Sequence, residues 1–130
     1  MSTANRDKQG DGQGPAQPTV VAVPIDEHGW VGPWGRAHRV ALAKVQDGAV
    51  TAWEELEVGW DALHDTGSEA AHHARVARFV KQHGVQVVAA AHMGRDMQAM
   101  LERMHLRVSL GNSGDGHHAA LVAGQGPATP

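Results

Sequence analysis

Residues 85–110 read VQVVAAAHMGRDMQAMLERMHLRVSL, and this stretch decides the fold. The run 85–91 is continuously apolar, as expected of a strand that is covered on both faces. Residues 95–104 contain no helix breaker and predict a helix, and residues 106–110 have the composition of a second strand. Two strands joined by a short helix form a right-handed crossover whose strands are parallel. The stretch therefore predicts an α/β protein.

Three strands are predicted upstream of this crossover. Residues 19–25 are apolar and rich in β-branched side chains, which is typical of a buried strand. Residues 39–46 alternate well enough for a second strand, and Asp47-Gly48 is a strong signal for a two-residue hairpin turn. The partner strand of this hairpin is predicted at 49–58.

The helices are predicted from caps and breakers. Thr66 and Glu69 fit the capping box T-x-x-E, and the helix that follows runs over 68–83 as far as Gly84. A further short helix is indicated at 117–123. The predicted order is β-β-β-α-β-α-β, which is a mixed β-sheet with helices packed on it.

Four methionines recur at helical spacing around the helix of the crossover: Met93, Met97, Met100 and Met104. Such a stripe is consistent with ligation of a soft metal, but it is far more often core packing. We therefore expect these side chains in the core.

The chain has 130 residues, of which 42% are hydrophobic, and this is enough for one modest core. We expect one domain at 19–123. The ends at 1–18 and 124–130 are polar and rich in glycine and proline, so we expect both to be disordered tails.

Charge and composition exclude several functional classes. A net charge of −3 gives no broad basic field, so a nucleic-acid partner is not expected. No long apolar run or secretory leader is visible, so we expect a cytoplasmic protein without a membrane partner. The absence of cysteine removes disulfides and thiolate sites, whereas ten histidines favour metal or proton chemistry.

One candidate site follows the predicted strand at 85–91. In open sheets, ligands bind beyond the carboxyl ends of parallel strands, where a helix N-terminus offers free N–H groups. His92, Met93 and Gly94 occupy this position, and the helix N-terminus at 94–96 is expected to hold negative charge, which suits an anionic ligand that also offers a metal to an imidazole. The alternative is that His92 only hydrogen-bonds a neighbouring carbonyl.

A second candidate cluster contains His64, His72 and His73. The histidine pair lies on the second turn of the predicted helix, close enough for one member to meet His64. Adjacent helical residues point about 100° apart, so we expect at most one of the pair to face the site. In the alternative interpretation, His72 packs in the core and His73 is solvated.

Three segments together resemble the dinitrogenase iron-molybdenum cofactor domain family. They are VAVPIDEHGWVGPWGRAHRVALAKVQDG (21–48), HHARVARFVKQHGVQVVAAAHMG (72–94) and MLERMHLRVSL (100–110), and the resemblance covers about 19–123. It implies a ribonuclease H-like fold and binding of a metal–sulfur cofactor or its precursor, generally without catalysis by the domain itself.

The resemblance also draws attention to the glycine-containing loop after the first strand. Family members often carry His-Phe-Gly before an Arg-Ala pair, where this chain has Pro33, Trp34 and Gly35. The histidine is missing, while the aromatic residue, the glycine and Arg36 are kept, and His28 or His38 is a possible substitute.

The two tryptophans of this loop suggest a cover for the site. We expect Trp30 and Trp34 to form an apolar lid at the sheet edge, with Arg36 pairing an anionic ligand and His28 or His38 reaching a metal. The alternative is that both tryptophans extend a small core that has few other aromatic residues.

The preferred function is that of a non-enzymatic binding or carrier protein. Its cargo is expected to be an iron-sulfur or iron-molybdenum-type cluster or a single transition metal, with a protein partner in cofactor delivery. The predicted metal ligands are His92, His64, His72 or His73, and His28, and the predicted cofactor contacts are Trp34, Gly35, Arg36, Met93 and Gly94. The main alternative is a protein-interaction or regulatory module that binds no metal, and a third is a histidine-ligated metal hydrolase that uses Asp96.

Overall fold

The computed structural model describes residues 17–125, whose strands form one mixed sheet. The strands are β1 (Thr19–Ile25), β2 (Arg39–Gln46), β3 (Ala49–Glu57), β4 (Val87–Ala89) and β5 (Arg107–Ser109). They lie in the order β3-β2-β1-β4-β5, with antiparallel pairing of β1 to β2 and of β2 to β3. β4 is parallel to both β1 and β5. The predicted α/β class, the mixed sheet and the parallel crossover are confirmed.

Within residues 17–125, four helices pack on the sheet. They are α1 (Trp60–Leu63), α2 (Glu69–Gln82), α3 (Arg95–Arg103) and α4 (Gly116–Gln125). The sequence did not predict α1. α4 continues through Gly124 and Gln125, which were assigned to the C-terminal tail, while residues 1–16 and 126–130 of the predicted tails lie outside the described residues.

The hairpin turn is confirmed. Asp47 and Gly48 both have positive φ angles, 54° and 77°, as a two-residue turn that follows the twist of its strands requires. β2 has the predicted bounds, and β3 ends one residue before the predicted end.

The predicted start of α2 is wrong in its capping residue. The Oγ of Ser68 accepts a hydrogen bond from the N–H of Ala71 at 3.0 Å, so Ser68 and not Thr66 is the N-cap. The hydroxyl of Thr66 donates instead to the carbonyl of Leu63 at 2.9 Å. Gly67 separates the two in a left-handed conformation (φ 76°), so the chain turns before the helix begins.

The strands of the crossover are shorter than predicted. The N–H of Ala91 donates to Gly32 O at 3.0 Å and not to a neighbouring strand, so the apolar run leaves the sheet after β4. The composition of the run was a correct indication of burial, because Val87, Val88 and Ala89 are at most 1% exposed.

Two hydrophobic cores lie on opposite faces of the sheet. On one face, side chains of β1, β2 and β4 pack against α1, α2 and α3, and Trp34 and Trp60 are the largest residues of this core. On the other face, Ala120 and Ala123 of α4 pack on valines of the same strands. The methionine stripe belongs to the first core, as predicted, with Met97 buried and the other three partly buried. Across residues 17–125, we find no helix that is both long and apolar enough to cross a membrane.

Candidate functional site

Two loops meet at one edge of the sheet. β1 and β4 are parallel neighbours, so the loop 26–38 and the loop 90–94 leave the sheet on the same side. The N–H of Trp34 donates to the carbonyl of His92 at 3.0 Å, and the N–H of Ala91 donates to Gly32 O at 3.0 Å. These backbone hydrogen bonds hold the two loops together.

A cavity of about 380 Å³ lies at this junction and extends to the first turns of α2 and α3. Gly35 comes from the first loop and Gly94 from the second. The remaining lining residues are His64, Glu69, His72, His73, Arg95, Asp96 and Met97. The volume is that of a site for a small molecule or cofactor.

The structure brings together the histidine cluster that the sequence indicated. The ring centroids of His64 and His72 are 5.2 Å apart in a T-shaped arrangement. Both His72 and His73 line the cavity, so the expectation that at most one of them faces it is wrong. Their directions still diverge along the helix, and within residues 17–125 no three His, Cys, Asp or Glu side chains converge on a position for a metal ion.

His72 is buried and has one defined partner. It is 4% exposed, and its Nδ1 lies 2.8 Å from Nη1 of Arg75, one helical turn further on. Among the described residues its buried Nε2 makes no hydrogen bond of full geometry, although the Gly35 backbone lies beside it. Burial lowers the pKa of His72 and the Arg75 guanidinium lowers it further, while the interaction with the Gly35 backbone opposes this shift.

His64 is held by a carboxylate. Its Nδ1 lies 3.1 Å from Oδ1 of Asp65, and Nη1 of Arg36 lies 3.6 Å from the other oxygen of that carboxylate. The hydrogen bond from His64 and the charge of Arg36 hold the pKa of Asp65 below its usual value. A carboxylate that accepts from Nδ1–H leaves the lone pair on Nε2, which is the arrangement found behind many metal-bound imidazoles.

Several predicted site residues do not line the cavity. The His92 side chain is exposed, and only its backbone carbonyl takes part in joining the loops. His28 is exposed beside Glu27 at 3.6 Å, on the part of the loop nearest β1. Met93 packs against the first core, and Arg36 pairs with Asp65 at the side of His64.

The predicted tryptophan lid is wrong for Trp34. This side chain is 0% exposed and packs edge-to-face on Trp60, with ring centroids 5.0 Å apart. Trp30 is 50% exposed and lies against Gly114, whose added Cβ would sit 3.6 Å from the indole. The two tryptophans therefore have different environments, and Trp34 supplies the bulk that a chain with one phenylalanine needs.

Sequence reasoning missed the role of several residues near the cavity. Arg75 was not considered, although its spacing of three from His72 places both on one helix face. Glu69 was assigned only to the capping box, yet it lines the cavity and its Oε2 is 3.7 Å from Nε2 of His73. Arg95, which belongs to the predicted helix N-terminus at 94–96, and Met97, which was predicted only in the core, line it as well, because α3 begins at its edge.

The fold has a solved relative. The crystal structure of PH0822 superimposes with a TM-score of 0.64 and 22% sequence identity, over 82% of this chain and 92% of that one. At this identity, the similarity establishes a shared α/β fold. A comparison with curated proteins found no match.

The sequence itself identifies the family. The model of the dinitrogenase iron-molybdenum cofactor family matches residues 18–124, so the chain belongs to this family of nitrogenase cofactor-related proteins. The match spans β1 to α4 and includes every residue that lines the cavity. The resemblance stated from the three sequence segments is thereby confirmed.

Proposed function

We propose that the protein is a non-enzymatic carrier that binds a metal or an iron-sulfur-type cofactor in the cavity between α2 and α3. Its cargo is an iron-sulfur or iron-molybdenum-type cluster or a single transition metal, passed to a protein partner in the cytoplasm. The family membership supports a role connected with the cofactor. The mixed sheet with helices on both faces supports the ribonuclease H-like fold that the resemblance implies.

The observation that carries this proposal is the Asp65-oriented imidazole of His64 beside the cavity. With Nδ1–H donated to Asp65 at 3.1 Å, Nε2 of His64 keeps its lone pair for a metal. His73 also lines the cavity and is half-buried on α2. Nδ1 of His72 is instead engaged by Arg75. Two imidazoles, His64 and His73, are therefore proposed as the metal ligands.

The small number of ligands fits a carrier. A single transition metal in a stable site needs three or four converging protein ligands, which residues 17–125 do not provide, so of the two proposed kinds of cargo the site favours a cluster. A preassembled cluster needs fewer, because its own sulfides supply most of the ligands to each iron. Few protein ligands also allow release to a partner.

Metal analysis of anaerobically purified, untagged protein tests the proposal. The protein is incubated with iron and sulfide, desalted, and analysed for bound iron per chain. We expect stoichiometric iron in the wild type and a loss of most of it in the double variant His64→Ala, His73→Ala.

Matched controls come from the predicted ligands that lie outside the cavity. His28→Ala and His92→Ala remove imidazoles from exposed positions on the two adjoining loops, so iron content is expected to stay at the wild-type level. Absence of iron from the wild type under every condition contradicts the proposal, as does equal loss in the control variants.

A second candidate function is a protein-interaction module, and the exposure of Trp30 favours it. A half-exposed tryptophan is a common anchor in protein interfaces. Trp34 cannot serve in this way because it is fully buried. Partner capture that is lost in Trp30→Ala, in a protein that takes up no iron, supports this function over the carrier.

A further inference from the structure

Trp30 is a half-exposed tryptophan on a loop that is held in place by backbone hydrogen bonds. Its side chain is 50% exposed, and one side of the indole lies against Gly114, where an added Cβ would sit 3.6 Å from Cζ3. The N–H of Val31 donates to Gly114 O at 2.9 Å, which ties the loop to the segment before α4. A side chain that is already ordered loses little freedom when a partner binds to it.

Asp26 fixes the same loop with its side chain. Its Oδ1 accepts a hydrogen bond from the N–H of His28 at 2.8 Å and another from the N–H of Trp30 at 3.0 Å. The bond from Trp30 is the main cause that holds the pKa of Asp26 below its usual value. The exposed indole therefore lies in a loop with a carboxylate that is ionised at neutral pH.

Trp53 contacts the same segment before α4, two residues further along the chain. Its Cη2 would sit 3.4 Å from a Cβ added to Gly116. The ring of His117 stacks on the Trp53 indole, with ring centroids 3.6 Å apart and an interplanar angle of 17°. The indole Nε1–H donates to Oε2 of Glu55 at 2.9 Å. This second indole is therefore also held beside a carboxylate.

The ionised side chains around the two indoles are acidic. Asp115 pairs with Trp30 in an isolated backbone bridge and is exposed, as Glu27 is. The loop segments 26–31 and 112–118 contain no lysine or arginine. We call the whole set the acidic aromatic surface, which consists of Trp30, Trp53, His117, Asp26, Glu27, Glu55 and Asp115.

The chemistry of this surface selects a cationic partner. Arg39 lies opposite Ile25 on the same face of the sheet, but its Nη2 is 3.8 Å from Oε2 of Glu57, so its charge is already matched. A guanidinium stacks on an indole and donates to carboxylates at the same time, which an ammonium group does less well. The phosphates of nucleic acids and anionic lipids are repelled by the same carboxylates. An arginine side chain of a protein fits best.

We propose that the acidic aromatic surface docks an arginine-bearing segment of a partner protein. Trp30 supplies the stacking face, and the carboxylates accept from the guanidinium. Trp53 and α4 belong to the face of the sheet opposite α2 and α3. Docking at this surface leaves the cavity between α2 and α3 free, so it does not depend on the proposed carrier function.

A synthetic Gly-Arg-Gly-Arg-Gly peptide, blocked at both ends, is the probe. It is titrated into the full chain at neutral pH, and the indole N–H signals are followed by NMR. We expect saturable shifts at Trp30 and Trp53 and none at Trp34 and Trp60, which are 0% and 2% exposed. The same peptide with lysine is expected to bind at least about threefold more weakly, and the peptide with glutamate is expected not to bind.

The stacking contact is tested at Trp30. Trp30→Ala is expected to weaken binding of the arginine peptide at least about fivefold, as for the loss of a cation–π contact. Trp30→Phe keeps an aromatic face and is expected to retain most of the binding. Iron uptake is measured separately and is expected to be unchanged in Trp30→Ala. Failure of the docking surface is thereby distinguished from failure of the carrier function.

The charge is tested with matched double variants. Glu27→Gln with Glu55→Gln removes two charges from the surface, while a glutamine at 55 can still accept from the Trp53 indole, and binding is expected to weaken at least about fivefold. Glu54→Gln with Glu102→Gln removes two charges from exposed positions on the opposite face and is expected to bind as the wild type does.

Four results overturn the proposal. They are no saturable shift at Trp30, equal binding of the arginine and lysine peptides, unchanged binding in either Trp30→Ala or the Glu27, Glu55 variant, and equal loss in the Glu54, Glu102 variant. Size-exclusion chromatography tests a second copy of the chain as the occupant. A dimer that becomes a monomer in Trp30→Ala also overturns the proposal, because the surface is then covered by its own kind.

Discussion

His38 joins the loop after β1 to carboxylates on two other elements. Its Nδ1 lies 3.2 Å from Oδ1 of Asp61 in α1, and its Nε2 lies 3.3 Å from Oε2 of Glu57 in β3. Donation to both carboxylates requires the doubly protonated ring. The hydrogen bonds to Asp61 and Glu57 raise the pKa of His38, and the bond from His38 lowers the pKa of Asp61.

These shifts predict how stability depends on pH. Because the pKa of His38 is raised in the folded state, His38 stabilises the fold fully below pH 6.5, the ordinary pKa of histidine. This stabilisation is lost as the pH rises through the pKa of His38 in the folded state. The lowered pKa of Asp61 means that its contribution is present above 3.8 and is lost as pH falls through the folded-state value. Between pH 3.8 and pH 6.5, His38 and Asp61 therefore both stabilise the fold.

We therefore expect His38→Gln to lower the free energy of unfolding most at about pH 4–6 and progressively less above pH 6.5. Urea denaturation of wild type and variant across pH 4–9 measures the difference. His118→Gln, at an exposed position on α4, is the control and is expected to show no such window. A difference that grows above pH 7 contradicts the assignment.

Individual site residues were predictable only in part. Gly35 and Gly94 follow two parallel strands, so both were expected at one edge of the sheet. His64 lies shortly before α2, so it was expected near a histidine at the start of that helix, and His72 is that histidine. The spacing of three allows Arg75 to contact His72 but does not require it, and the burial of Trp34 was one of two alternatives that the sequence left open. Both depend on which rotamer and which face the tertiary packing selects, and the sequence periodicity leaves these open.

Secondary structure was predicted best where the signal is local. β2 follows from alternation and a hairpin turn that involve neighbouring residues only, and its bounds were correct. α1 was missed because four residues are too few to show a period, and it begins after Gly59 in a left-handed conformation (φ 64°). Ser68 and Thr66 are both residue types that cap helix N-termini. The left-handed turn at Gly67 separates them and makes Ser68 the N-cap of α2.

The two capping candidates make a direct test. Ser68→Ala removes the acceptor for the N–H of Ala71 and is expected to cost about 1 kcal/mol in the free energy of unfolding. Thr66→Ala removes only the hydroxyl donated to Leu63, whose carbonyl still accepts the backbone N–H of residue 66 at 3.0 Å, so a smaller cost is expected. Urea denaturation at pH 7 measures both values. A larger cost for Thr66→Ala supports the capping box that the sequence suggested.

The two cores depend on the same strands. In β1, Val21 and Val23 pack toward α4, while Ala22 packs toward α2 and α3, so one central strand contributes to both faces. The sequence predicted the strands and the crossover, but it did not predict the order in the sheet. That order places β1 between an antiparallel and a parallel neighbour, and it depends on contacts between residues far apart in the chain.

The loop 26–38 follows β1 and places one of its two tryptophans, Trp34, in the first core. Comparing the two tryptophans tests how much this burial stabilises the fold. Trp34→Ala empties a site of 0% exposure against Trp60 and is expected to cost about 3–5 kcal/mol, a large part of the roughly 5–15 kcal/mol typical of a domain. Trp30→Ala, in the same loop but half-exposed, is expected to cost less than half as much. Urea denaturation followed by far-UV circular dichroism measures both costs. Equal costs, or a cost below about 1 kcal/mol for Trp34→Ala, contradict the position of Trp34 in the core and support the interpretation that it covers the cavity.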